Sequence, residues 1–90
     1  MVTAFVLINV QDETMSDIAG ELLTFDGVKE VHVVAGEYDM VAVVRVKENS
    51  ALSDLITQKV IHVAGVERTK TLFALQSYSH LDLGAVYDLA

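Results

Sequence analysis

The sequence predicts one α+β domain with the element order β-α-β-β-α-β, because the spacing of apolar residues changes in that order along its 90 residues. Four segments rich in β-branched and other apolar residues predict strands, at residues 2–10, 28–35, 39–46 and 66–78. Two segments with apolar residues at helical spacing predict helices, at residues 14–25 and 49–63. Thr14 with Asp17 predicts a capping box for the first helix, and Asn49 or Ser50 predicts the N-cap of the second.

An internal repeat supports this order. Shifting the second half back by 38 positions places Gly65-Val66 on Gly27-Val28 and Ile56 on Ile18. Two equivalent βαβ halves are the pattern of a ferredoxin-like βαββαβ sandwich, which is therefore the predicted fold. Each glycine of the repeat is expected to cap the preceding helix before the next strand begins.

Both faces of the first and third strands are apolar. In the first strand Ala4, Val6 and Ile8 alternate with Phe5 and Leu7, so neither face is polar. The helices can cover only one face of an antiparallel sheet, and the other face normally meets water. We therefore expect a second copy of the chain to pack on it, sheet to sheet, as a dimeric α+β barrel. A hydrophobic content of 52% and a mean hydropathy of +0.42, both high for a small domain, agree with self-association.

Composition excludes several classes of function. The net charge is −7 and no run of basic residues occurs, which argues against direct nucleic-acid binding. The chain has no cysteine, so disulfides, thiolate catalysis and thiolate metal sites are excluded, and a reducing cytoplasm is expected. No apolar run approaches the length of a membrane span, and residues 1–10 are typical of a strand rather than a signal peptide.

Catalytic and metal-binding patterns are not visible in the sequence. The three histidines, His32, His62 and His80, are not spaced as metal ligands. No Ser-His-Asp order or glycine-rich phosphate loop occurs, so we predict no catalytic residue, metal or cofactor.

The segment Gly36-Glu37-Tyr38-Asp39 separates two apolar runs and predicts a hairpin turn. Glycine supplies the positive φ that such a turn needs, and aspartate can accept local backbone hydrogen bonds there. Thr69 and Thr71 are expected on one face of the last strand, and Asp54 lies near the start of the second helix. Taken singly, each of these residues also has an ordinary structural explanation.

Together the motifs resemble the stand-alone effector-binding (RAM) module of the Lrp/AsnC transcription regulators over residues 1–78. The resemblance rests on the Gly-x-Tyr-Asp turn and on the later segment Gly65-Val-Glu-Arg-Thr-Lys-Thr. It implies a βαββαβ domain that regulates amino acid metabolism or transcription and is not an enzyme. It also implies sheet-to-sheet dimers, assembled into octamers or decamers, with an amino acid effector between neighbouring dimers. Full-length members of the same family are implied as partners. DNA binding is not implied, because full-length members carry a helix-turn-helix ahead of the first strand.

Carried over to this sequence, the resemblance implies a ligand site made of Gly36, Glu37, Tyr38, Asp39, Asp54, Thr69 and Thr71. Asp39 or Asp54 would accept the ammonium of an amino acid, and the threonine hydroxyls or the Gly36 N–H would bind its carboxylate. No charged group is aimed at the ligand side chain, which favours an aliphatic or small polar one. Residues 79–90 form a C-terminal extension that either packs on its own subunit or contacts a neighbour.

Two other functions fit the sequence. One is a cofactor-free monooxygenase or isomerase on a dimeric α+β barrel, for which His32 and Tyr38 are the candidate residues. The other is a structural assembly module whose clefts bind nothing.

Overall fold

A computed structural model describes residues 1–11 and 14–80 of the chain and has the predicted order of elements. Its elements are β1 (Val2–Val10), α1 (Met15–Leu22), β2 (Val28–Val33), β3 (Met40–Val46), α2 (Asn49–Gln58), a short 3-10 helix (Val60–His62) and β4 (Val66–Phe73). The C-terminal extension predicted for residues 79–90 lies outside the described residues from position 81 onward.

The four strands form one antiparallel sheet in the order β2-β3-β1-β4. β1 and β3 are therefore central, and the predicted ferredoxin-like sandwich is confirmed. One face of the central strands is buried beneath both helices. The buried core combines side chains of this face with one side of each helix: Ala4, Val6, Ile8, Ala42 and Val44 from the strands, and Ile18, Leu22, Leu52 and Leu55 from the helices.

The opposite face of the sheet is apolar at its centre, as predicted. Phe5 lies between Val43 on β3 and Leu72 on β4, and Leu7 lies opposite Val41. Phe5 and Leu72 are 37% and 44% exposed, so the subunit alone leaves this surface open to water. We call it the helix-free face. No helix among the described residues is long and apolar enough to cross a membrane.

The last strand is shorter than predicted. β4 ends at Phe73, which pairs with Ala4, and the next backbone bond, from Ala74 N to Thr3 O at 2.9 Å, is the last to β1. The prediction that the strand continues to residue 78 is wrong. In this register the first residue of β1, Val2, would come opposite position 75, so residues 76–78 have no partner on β1.

The helix ends also differ from the predictions. Thr14 is the N-cap of α1, but its hydroxyl bonds to the Asp17 carboxylate rather than to a backbone N–H, so a true capping box is absent. The N-cap of α2 is Glu48, one residue before the predicted Asn49 and two before the predicted Ser50. The Ser50 hydroxyl instead donates to Glu48 Oε1 at 3.0 Å.

The two repeat glycines occupy equivalent turns but do not cap helices. Gly27 and Gly65 have φ values of +98° and +92°, so the two positions that the repeat matches share a positive-φ conformation. The caps themselves are Leu23 after α1 and Lys59 after α2, because each helix ends several residues before its glycine. Each glycine directly precedes the first residue of a strand, where it reverses the chain.

Candidate functional site

The turn between β2 and β3 runs from Val34 to Asp39 and closes with a hydrogen bond from Val34 N to Asp39 O of 2.9 Å. Gly36 has a φ of +143°, which side chains rarely allow. A Cβ at this position would meet no atom within 4 Å. The backbone conformation, rather than lack of space, is therefore what requires glycine here.

Asp39 fastens this turn to the end of β1. Its carboxylate Oδ2 accepts the backbone N–H of Val10 at 2.9 Å, and its own N–H donates to Ile8 O at 2.9 Å. Within residues 1–11 and 14–80, no other hydrogen bond reaches the carboxylate. Asp39 is half-buried, and its second oxygen, Oδ1, remains able to accept a bond from a ligand.

Asn9 connects the turn to β4. Its Nδ2 donates to the backbone oxygen of Glu37 at 2.9 Å, and its Oδ1 accepts a longer bond from Arg68 Nη2 at 3.4 Å. Asn9 and Arg68 are register partners in the β1–β4 ladder. One amide side chain thus holds the turn, the end of β1 and the start of β4 in a fixed relation.

A cleft of about 350 Å³ opens where these three segments meet, and we call it the turn cleft. Its lining residues come from β1, the turn and β4: Asn9, Glu37, Tyr38, Arg68, Thr69 and Lys70. The lining offers hydrogen-bond acceptors, hydroxyl donors and two cations. Such a surface suits a small ligand that carries both charges.

The structure brings most of the predicted ligand residues to this end of the sheet. Glu37, Tyr38 and Thr69 line the turn cleft, while Gly36 and Asp39 shape the turn beside it. Thr71 lies on the same face of β4 as Thr69 but one pair farther along, opposite Val6.

Asp54 is not part of this group. It lies on α2 and lines a separate cavity of about 650 Å³ at the other end of the sheet, where β1 begins and β3 ends. The predicted set is therefore divided between two ends of the subunit.

Three residues of the turn cleft were missing from the prediction: Asn9, Arg68 and Lys70. Asn9 had a signal in the sequence, since it is the one amide in β1 and directly follows an apolar run. The two cations had none, because only the β1–β4 register places them beside the turn.

His32 and Tyr38, the candidates for an enzyme, lie in different surroundings. His32 pairs with Val41 on the helix-free face, and its Nε2 is 2.8 Å from Glu30 Oε1. Both side chains of this pair are more than half exposed. Tyr38 lines the turn cleft. No group of three or more potential metal ligands occurs among the described residues.

Comparison with known sequences identifies related regulators. The family model for the Lrp/AsnC ligand binding domain matches residues 3–82. The HTH-type transcriptional regulator FL11 of Pyrococcus furiosus is 33% identical over 75 residues, which cover 83% of this chain and 49% of that protein. This chain spans about half the length of the curated relatives it matches.

Solved structures share the fold. TTHA0845 from Thermus thermophilus is 40% identical with a TM-score of 0.80, over 89% of this chain and 100% of that one. The feast or famine regulatory protein Rv3291c from M. tuberculosis, in complex with L-methionine, is 34% identical with a TM-score of 0.75. That match covers 89% of this chain and 54% of Rv3291c.

Proposed function

We propose that this chain, which belongs to the Lrp/AsnC ligand-binding domain family, binds an amino acid in the turn cleft and acts as a self-assembling regulatory module. The observation that carries the proposal is the turn cleft itself. Its lining combines the Glu37 carboxylate, threonine and tyrosine hydroxyls and two cations, and the half-buried carboxylate of Asp39 lies in the turn beside it.

The charges of the cleft suit the two ends of an amino acid. Asp39 Oδ1 accepts the ligand ammonium, while Oδ2 stays bound to the N–H of Val10. The ligand carboxylate binds the cations of Arg68 and Lys70, which share one face of β4. Thr69 stands between them in the strand, so its hydroxyl is offered from the opposite face. Arg68 and Lys70 thus bring positive charge to the turn cleft, where the sequence alone did not place it.

The ligand class is supported by a relative. Rv3291c, 34% identical to this chain, is known in complex with L-methionine. An unbranched apolar side chain agrees with the preference for an aliphatic or small polar ligand drawn from the sequence. L-Methionine is accordingly the first probe to use.

Self-association is the second part of the proposal. The helix-free face exposes Phe5 and Leu72 at the centre of the sheet, and a second copy packed sheet to sheet covers them. Dimers then assemble into octamers or decamers, with the turn clefts between neighbouring dimers. Because Asp54 lies at the far end of its own subunit, it reaches a turn cleft only if a neighbouring subunit supplies it.

The relatives support the regulatory part of the proposal. Curated proteins that this chain matches over about half of their length are named HTH-type transcriptional regulators. Their names support regulation rather than catalysis. Full-length regulators of the same family are the proposed partners, through mixed assemblies that leave DNA contact to the partner. We place this role in the cytoplasm, where such regulators and their effectors meet.

Native mass spectra of the purified protein, alone and with each of the twenty amino acids, test this proposal. We expect an octamer or decamer that takes up one ligand per subunit for a few related amino acids. An assembly that takes up none of them contradicts the ligand-binding proposal, and a monomer at micromolar concentration contradicts the assembly proposal.

A further inference from the structure

The lysines and arginines of this chain are unevenly distributed. The chain has six of them against thirteen acids. Arg68 and Lys70 line the turn cleft, and the other four line the cavity of about 650 Å³ at the opposite end of the sheet: Lys29, Arg45, Lys47 and Lys59. We call this second space the basic cavity. Every lysine and arginine of an acidic protein thus lies at one of two concave surfaces.

Three of the four cations are free to bind an anion. Among residues 1–11 and 14–80, no ion pair or hydrogen bond engages the side chains of Lys29, Arg45 or Lys47. Lys59 stands over the ring of Phe25, with Nζ 5.7 Å from the ring centre. The cavity lining holds four cations against three carboxylates, so it carries an excess of positive charge in a protein whose net charge is −7, and such a surface favours anions.

A backbone hydrogen bond and a close strand contact hold one side of the basic cavity. Arg45 N donates to Gly27 O at 2.9 Å, which ties the start of β2 to the end of β3 beneath it. Gly27 has a φ of +98°, and a Cβ there would lie 2.8 Å from Val46 Cγ1. The glycine therefore permits the close approach of β2, which carries Lys29, and β3, which carries Arg45 and is followed by Lys47.

The remaining lining is both apolar and acidic. Val46, Ala51 and Leu55 provide an apolar surface, while three acids provide carboxylate acceptors: Asp26, Glu48 and Asp54. A bare polyanion makes no favourable contact with the apolar surface or the carboxylates. A ligand with a multiply charged anionic end and an organic part that carries hydroxyl or amino donors can contact the cations, the apolar surface and the carboxylates together.

We propose that the basic cavity binds a nucleoside polyphosphate, with the phosphates held by Lys29, Arg45 and Lys47 and the nucleoside against α2. The cavity volume lies within the roughly 300–1,000 Å³ typical of small-molecule sites. This site is separate from the turn cleft and goes beyond the amino acid binding proposed above. The module would then bind a second kind of effector at the other end of each subunit.

Isothermal titration with ATP and with pyrophosphate, at low ionic strength and without divalent metal, tests the site. The wild-type protein is compared with two double variants, Lys29→Ala/Lys47→Ala and Arg68→Ala/Lys70→Ala. Both variants change the formal net charge from −7 to −9, so they are matched in overall charge. Far-UV circular dichroism checks that each variant is folded.

We expect saturable ATP binding that weakens at least tenfold in Lys29→Ala/Lys47→Ala and changes less than twofold in Arg68→Ala/Lys70→Ala. Amino acid binding should show the opposite pattern, so failure of one site is distinguishable from failure of the other. Absence of saturable ATP binding, or an equal loss in both variants, overturns the proposal. Pyrophosphate binding as tight as that of ATP overturns the nucleoside part of it.

Discussion

Asp39 is the residue at which a structural role and a ligand-binding role can be separated by two substitutions. Its Oδ2 holds the N–H of Val10 at 2.9 Å, while Oδ1 faces no protein donor among the described residues. Asp39→Ala removes both oxygens and leaves the part-buried Val10 N–H without a partner. Asp39→Asn keeps a neutral acceptor for that N–H but removes the charge that the ligand ammonium requires.

The expected magnitudes differ accordingly. Loss of a hydrogen bond to a charged group costs about 1.5–3 kcal/mol, and because this one is only part-buried we expect about 1–2 kcal/mol for Asp39→Ala. In a domain of this size that lowers Tm by about 5–15 °C. Asp39→Asn should cost less than about 1 kcal/mol in stability. It should nevertheless weaken amino acid binding tenfold or more, since a charge-assisted bond is lost.

Thermal unfolding, monitored by circular dichroism, measures the change in stability, and isothermal titration with L-methionine measures the change in binding. All unfolding experiments use one protein concentration, because assembly shifts Tm. Glu37→Ala is the stability control. Its backbone oxygen accepts the bond from Asn9, whereas its exposed side chain makes no hydrogen bond among the described residues. An Asp39→Asn protein that binds the ligand as tightly as the wild type refutes the role given to Asp39.

Three further substitutions test the fold and the assembly. Gly27→Ala should lower the free energy of unfolding, measured in urea, by about 1–2 kcal/mol more than Gly36→Ala does. Both substitutions strain the backbone, but only at Gly27 does the new Cβ also meet a side chain, that of Val46 at 2.8 Å. Equal losses in the two variants would contradict this reasoning. Phe5→Glu should place a charge on the helix-free face and reduce the mass in analytical ultracentrifugation, and an unchanged assembly would show that this face is not the contact. Ile18→Ala should cost about 2–5 kcal/mol in urea denaturation, since Ile18 is 2% exposed, and a loss below about 1 kcal/mol would mean that α1 does not pack as described.

The fold was predictable from local patterns and from the repeat. Apolar spacing located the four strands and two α-helices of residues 1–11 and 14–80, and the shift of 38 positions matched Gly27 with Gly65, whose φ values agree. The end of β4 was not predictable, because it depends on where β1 starts in the ladder rather than on the residues after Phe73. Strand ends are set by pairing partners, which a single segment does not reveal.

The candidate site was predictable only in part, for the same reason. The turn residues Gly36 to Asp39 are contiguous in sequence, so their motif identifies them together. Arg68 reaches them only through the pairing of β1 with β4, and Asn9 only through its bond to the turn. Asp54 lies at the other end of the subunit. The spacing of residues along a helix does not reveal at which end of the sheet a helix residue lies.

Hydrogen–deuterium exchange with mass spectrometry tests the central claim most directly, because it locates the bound amino acid even in a large assembly. The wild-type protein is compared with and without saturating amino acid, using the one that gives the clearest adduct in native mass spectra. We predict slower exchange in peptides that cover residues 34–40 and 66–73, and unchanged exchange in α2. Slower exchange confined to α2, or none at saturation, would contradict the assignment of the turn cleft as the effector site.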